Sequence, residues 1–184
     1  MQVAKAANTK NIVLNQRGYP VLNVPRDGMD PEPALTLGII RQESEFRTDV
    51  QSPVGATGIM QLMPTTARAI AKEIGVSYSD SQLNNPSYNM TLGRAYLGKR
   101  IREWNGSYVL AIASYNAGKG RVSEWVEVYG DPRSPNIDPV DWIEMIPVYE
   151  TRNYVQRVLE GTQVYRARLA GDKAQLGILR DLTR

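Results

Sequence analysis

The sequence predicts an all-α domain with little or no β structure. Three observations carry this. From Pro33 onward apolar residues recur at helical spacing. Prolines near the starts and glycines near the ends bracket successive segments. No stretch alternates apolar and polar residues as a half-buried strand does.

The elements follow in order. Residues 1–30 read as a connector, because Asn8-Thr9-Lys10-Asn11, Gln16-Arg17-Gly18-Tyr19-Pro20 and the run of Pro25, Gly28, Pro31 and Pro33 are turn chemistry. A short extended piece is expected at Ile12-Val13-Leu14. The first helix spans residues 33–46 and is followed by a glycine- and proline-punctuated loop over 47–58. A second helix starts near Thr65, behind Pro64, and stops at Gly75. The third opens on Asn85 with Pro86 in its first turn, carries Met90, Leu97, Ile101 and Trp104 on one stripe, and ends at Gly106. A fourth runs from Ser107 to Ala117 and ends at Gly118, and a fifth covers residues 121–129 with Val122, Trp125, Val126 and Tyr129 at helical spacing. A short helix opens at Asp138-Pro139. The last long helix begins near Pro147 and carries Val148, Val155, Leu159, Thr162, Tyr165 and Leu169. Six or seven modest helices with short loops make a compact helical domain. No internal repeat or low-complexity run is visible.

Composition narrows the chemistry. The chain has 184 residues, enough for one domain with a real core. It has no Cys and no His. That excludes disulfides, thiolate nucleophiles, Ser-His-Asp and Cys-His systems, His-based zinc sites and imidazole proton shuttles. An enzyme of this composition works with carboxylates, Lys, Tyr or a cofactor. The net charge of +3 comes from 22 basic and 19 acidic residues and is too mixed to argue for nucleic acid. No apolar run is long enough for a membrane span. Residues 1–7 contain no apolar signal region, so the chain is expected to be either cytoplasmic or a trimmed piece of something longer.

One motif is a decoy. Gly93-Arg94-Ala95-Tyr96-Leu97-Gly98-Lys99-Arg100 approaches a phosphate-binding loop, but Arg100 occupies the place of the magnesium-binding hydroxyl and the segment lies inside a helical pattern. Asn89-Met90-Thr91 and Asn105-Gly106-Ser107 match the glycosylation sequon by pattern alone.

The sharpest clue is in the first helix. Leu35, Ile39, Glu43 and Phe46 share one face, so a carboxylate lies on an apolar stripe, whereas Glu45 points elsewhere and reads as a solvated charge. A glutamate in that place is either a structural group, capping a helix end or paired with a cation such as Arg152, or an acid whose raised pKa lets it hold a proton for a leaving oxygen. The next loop, residues 52–64, has two glycines and few charges; its glycines let backbone approach a ligand, and Ser52 and Gln61 supply hydrogen bonds. Ser114-Tyr115-Asn116-Ala117-Gly118 closes a helix, and Glu150-Thr151-Arg152-Asn153-Tyr154-Val155 opens one. Each also has a plain structural reading, as a packed turn, a glycine cap and a first-turn acid respectively.

Together, Arg41-Gln42-Glu43-Ser44, Gly55-Ala56-Thr57-Gly58-Ile59-Met60-Gln61, Ser114 to Gly118 and Glu150 to Val155 resemble the soluble lytic transglycosylases of bacterial cell walls. The resemblance spans residues 31–170. It implies a lysozyme-like helical fold similar to goose-type lysozyme, with residues 1–30 as an N-terminal extension and 171–184 as a C-terminal tail. It further implies cleavage of the β-1,4 bond between N-acetylmuramic acid and N-acetylglucosamine, in which the muramic acid C6 hydroxyl, not water, takes C1. Glu43 matches the catalytic acid, which then acts as base. Ser52, Gln61, Met63, Tyr115 and Glu150 match substrate-groove positions, Ser52 and Tyr115 toward the N-acetyl group. No metal or cofactor is expected, the partner is the peptidoglycan glycan strand, no nucleic acid or transmembrane segment is implied, and the expected compartment is the periplasm. Glycosidases usually need a second carboxylate; assistance by the substrate acetamido group removes that need, and Asp49 is the sequence's nearest candidate if a second is used. A hydrolysing muramidase on the same fold and a non-catalytic wall-binding module remain as alternatives.

Overall fold

The computed structural model describes residues 1–12, 14–25 and 31–184. Ten α-helices are present among them: α1 (Gln2–Asn8), α2 (Asn15–Gly18), α3 (Pro33–Ser44), α4 (Pro64–Glu73), α5 (Pro86–Glu103), α6 (Tyr108–Ala117), α7 (Lys119–Tyr129), α8 (Pro139–Glu144), α9 (Tyr149–Ala170) and α10 (Ile178–Thr183), with short 3₁₀ turns at Asp80–Gln82 and Gly171–Lys173. No strand forms among the described residues; two isolated bridges, Gln51 with Thr57 and Thr57 with Leu62, are the β pairing. The all-α expectation holds. The extended piece expected around Val13 falls partly outside the described residues, as does the 26–30 part of the connector.

Local chemistry sets the helix starts. Proline occupies the first turn of α3, α4, α5 and α8, where its missing N–H costs nothing. Asn85 caps α5 by accepting from the Ser87 and Tyr88 amides, Ser107 caps α6 at the Leu110 amide, and Asp138 caps α8 at the Val140 amide.

Helix α6 is the centre. Its residues 108–115 are all buried, as expected of a helix that is apolar all round. Helices α5, α7 and α9 pack on it, and α3 lies along α9. Gly38 and Gly161 set that last contact: a Cβ on Gly38 would stand 3.1 Å from Thr162 Oγ1 and 3.2 Å from the Val158 carbonyl. The two backbones are therefore close, which holds the C-terminal end of α3 against the first turns of α9. A polar network secures the far end. Arg166 on α9 bonds Glu32, just before α3, and Asp181 on α10, while the Tyr108 hydroxyl donates to Glu32.

Two boundaries at the site differ from the sequence reading. The first helix stops at Ser44, not Phe46, because Glu45 and Phe46 both take left-handed backbone (φ 53° and 66°). Glu45 is consequently half-buried and ion-paired with Lys5, not a free surface charge. The last long helix begins at Tyr149. The short helices α1, α2 and α10 carry no sequence periodicity that announces them.

Candidate active site

The site begins in the last turn of α3. Glu43 and Ser44 are neighbours there and face different ways. Ser44 is buried, and its hydroxyl donates to the Ile59 carbonyl at 2.8 Å, with the Ile40 carbonyl at 3.2 Å as the alternative acceptor, while accepting from the Phe46 amide. It pins the helix end to the loop that follows.

That loop is held from behind by Asn89 of α5. Wholly buried, its Oδ1 accepts from the Met60 amide and its Nδ2 donates to the Thr57 and Leu83 carbonyls, each at 2.9 Å. Two loop backbone groups and one from the segment before α5 thereby find partners inside the protein. Gly58 (φ 80°) is required at this point, because a Cβ would land on Asn89 Nδ2 and the Leu83 carbonyl. Gln61 is also left-handed (φ 46°), and its amide nitrogen lies 3.0 Å from the Val50 carbonyl and 2.8 Å from the Gly58 carbonyl. The sequon at Asn89 is accordingly a buried structural amide, unavailable to a glycan. The phosphate-loop decoy lies wholly within α5, where Gly93 leaves room for the Met60 side chain.

A cleft of about 300 Å³ opens between this loop, α3 and the facing ends of α6 and α9. All six residues singled out from the sequence, Glu43, Ser52, Gln61, Met63, Tyr115 and Glu150, line it. Ser52 Oγ accepts from the Ala56 amide at 3.0 Å. The Tyr115 hydroxyl donates to the Met60 carbonyl at 2.8 Å, which spends its hydrogen and leaves oxygen lone pairs for accepting. Glu150 is exposed in the first turn of α9.

Glu43 accepts a 2.6 Å hydrogen bond from the Tyr154 hydroxyl. Arg152, the sequence's candidate cation for it, instead bonds the Glu144 carbonyl at 2.9 Å and lies over the Tyr149 ring. Among the described residues no cation pairs with Glu43. Burial pushes its carboxyl up to about 7; the Tyr154 bond opposes that rise and the Glu150 charge adds to it. The site thus offers a carboxylic acid that carries a proton at mildly acidic pH and can part with it near neutrality. Among the described residues no cluster of acidic side chains is arranged to hold a metal.

Tyr154, Tyr96 and Asn116 also belong to the site, and sequence reasoning gave them no role. Tyr154 lies one turn after Glu150, so its i+4 spacing was the available signal. Asn116 accepts from Thr151 Oγ1 at 2.7 Å and ties the end of α6 to the start of α9.

An all-helical domain that sets a desolvated glutamate, unpaired with a cation among the described residues, at a cleft belongs with the lysozyme-like class of protein. The particular family follows from comparison: the Transglycosylase SLT domain profile matches residues 26–136, and the chain belongs to that family. The soluble lytic murein transglycosylase of Escherichia coli K12 is 38% identical over 151 residues, which is 81% of this chain and 23% of that protein. The 70-kDa soluble lytic transglycosylase of Escherichia coli superposes with a TM-score of 0.73 at 34% identity, over 89% of this chain and 25% of that one. An inactive glutamate-to-glutamine variant of the lytic transglycosylase Slt from Pseudomonas aeruginosa does so with a TM-score of 0.72 at 36% identity, over 94% of this chain and 25% of that one. The chain therefore spans about a quarter of the length of these relatives.

Proposed function

We propose that this chain is a peptidoglycan lytic transglycosylase, acting on glycan strands in the periplasm, with residues 31–170 as the catalytic domain, 1–30 as a connector and 171–184 as a tail. The single observation that carries the reading is Glu43: a carboxyl at the cleft, held by a hydroxyl and by no cation among the described residues, with its pKa raised to about 7.

In this mechanism Glu43 gives its proton to the glycosidic oxygen as the C1–O4 bond breaks between N-acetylmuramic acid and N-acetylglucosamine. The acetamido oxygen of the muramic residue covers C1 from the opposite face. The carboxylate then takes the proton of that sugar's C6 hydroxyl as its oxygen closes on C1, which leaves a 1,6-anhydro end and a reset enzyme. One carboxyl serves twice, which fits a cleft whose other carboxylate, Glu150, is an exposed first-turn residue. In this reading Ser52 and the accepting Tyr115 oxygen take the N-acetyl group and Gln61, Met63 and Glu150 the flanking groove; that all five line the cleft supports it. The relative from Pseudomonas aeruginosa is inactive when one glutamate becomes glutamine, which agrees with an essential carboxyl in such a site.

Digestion of purified peptidoglycan followed by mass analysis tests this. The expected muropeptides end in 1,6-anhydromuramic acid, lighter by one water than reducing ends. Reducing ends would make the chain a hydrolase, and absence of any cleavage would leave a binding module. The rate should also fall as pH rises through about 7, because the step begins from protonated Glu43. A rate that climbs steadily into alkali would contradict that.

A further inference from the structure

Three tyrosines stand at the cleft that Glu43 lines, and they differ in what their hydroxyls do. That of Tyr115 is spent on the Met60 carbonyl, and that of Tyr154 on Glu43 itself. The third, Tyr96, lines the same cleft from α5 while its neighbours Leu92, Gly93 and Leu97 are buried. Among the described residues its hydroxyl has no hydrogen-bond partner, whereas its ring has two neighbours. Its ring lies 5.0 Å from the Tyr115 ring at 54°, and the Arg100 guanidinium stands 4.9 Å from its centroid. Arg100 is itself held by Glu103 at 3.0 Å.

We infer that Tyr96 is a substrate-contacting residue, whose ring is fixed by Tyr115 and Arg100 so that its hydroxyl hydrogen-bonds a polar substituent of the bound sugar. This rests on the glycan-cleaving reading above and adds a residue to it. The energetic case is the asymmetry of polar groups in partly dry sites. A hydroxyl that loses water on ligand entry must find a partner in the ligand, and one whose ring is already immobilised loses little entropy in doing so. Burial raises the Tyr96 phenol above its ordinary range and Arg100 only partly opposes that, so the group remains a neutral donor across the pH range in which Glu43 titrates. Its contribution is consequently independent of pH there, which separates it from a group that sets the protonation of Glu43.

The test uses chitotetraose as the binding probe and purified peptidoglycan as the substrate. By titration calorimetry, Glu43→Gln protein should bind chitotetraose about 3- to 10-fold more tightly than the Glu43→Gln/Tyr96→Phe double variant, the value of one hydrogen bond. In turnover, Tyr96→Phe alone should lower kcat/KM by a similar factor with the alkaline limb of the pH profile unmoved. Arg100→Met should give a smaller loss in the same direction, because it frees the ring but keeps the hydroxyl. Equal affinity in the two calorimetric backgrounds overturns the role of Tyr96 and leaves the glycosidase reading standing. A shifted alkaline limb overturns it also, in favour of coupling to Glu43. Failure of Glu43→Gln protein to bind chitotetraose at all, with no cleavage by the wild type, overturns both.

Discussion

Glu43 and Asp181 are both carboxylates withdrawn from solvent, yet their surroundings differ in kind. Asp181 on α10 is fully buried, with the Arg166 guanidinium on both its oxygens and the Gln163 amide donating at 2.8 Å. Arg166 also holds Glu32, and those bonds raise its own proton affinity in spite of burial. Every member of that cluster is fixed. Glu43 is desolvated, has a hydroxyl for a neighbour, and feels another carboxylate, Glu150, in place of a cation. The contrast separates a carboxylate built to hold the fold from one built to move a proton. A buried acid with a cation beside it cannot be neutralised cheaply, whereas one denied a cation stands near its titration point at working pH.

The strongest way to break this comparison is Glu43→Gln. Turnover of peptidoglycan should drop roughly 10²- to 10⁴-fold, the range for a general acid or base. The stability effect should have the opposite sign. Because folding raises the Glu43 carboxyl from 4.5 to about 7, the wild type is penalised as pH climbs from about 4.5 to 7 and stays penalised above. Glutamine removes a penalty on the order of 3 kcal/mol at most. Denaturant melts at pH 5 and pH 8 should therefore show the variant gaining on the wild type at the higher pH. A variant that is inactive and also less stable at pH 8 would mean Glu43 is structural.

The matching change at the other carboxylate is Arg166→Met. It strands Asp181 and half-exposed Glu32 without their cation, so the chain should lose about 3 kcal/mol. For a domain of this size that is roughly 6–12 °C in Tm. At a temperature where the variant is folded, its kcat should stay within two-fold of the wild type. A large kcat loss there would show that the two regions are coupled.

A subtler probe is Tyr154→Phe. Its hydroxyl lowers the proton affinity of Glu43, so removing it should move the alkaline limb of the rate profile to higher pH. The maximal rate should fall about 3- to 10-fold as the carboxyl loses one hydrogen bond that fixes its direction. An unmoved limb would show that the bond does not govern the proton.

These residues also mark how far the sequence carries. Helices α3, α5 and α9 were legible because each is long enough to show a stripe, α6 because Ser107 and Gly118 bracket an apolar run, and Glu43 was legible as a charge on a stripe. Helices α1, α2 and α10, of four to seven residues, are too short to display a period. The end of α3 was misjudged by two residues because Glu45 and Phe46 adopt a left-handed conformation that no glycine announces. Asn89 read as a sequon and Tyr154 as part of a motif without a task. Their roles depend on which carbonyls and which carboxyl lie opposite once α5 and α9 have packed, and that is a tertiary fact with no local signature.

The smallest effect is expected at Asp49, and it bears most directly on whether Glu43 works alone. Asp49 is close in sequence and would be the second carboxylate of a two-acid glycosidase. The structure puts it on the exposed turn after α3, outside the residues that line the cleft. Hydrolysing glycosidases hold their two carboxyls some 5–10 Å apart across the scissile bond, which requires both to face the substrate. A solvated Asp49 does not meet that requirement, so Asp49→Asn should keep activity within about two-fold, near the ±0.5 kcal/mol typical of surface changes. Its digest should contain the same anhydro ends as that of the wild type. Loss of all activity in Asp49→Asn, with an unchanged helical spectrum, would place a second carboxylate in the mechanism and end the single-acid reading of Glu43.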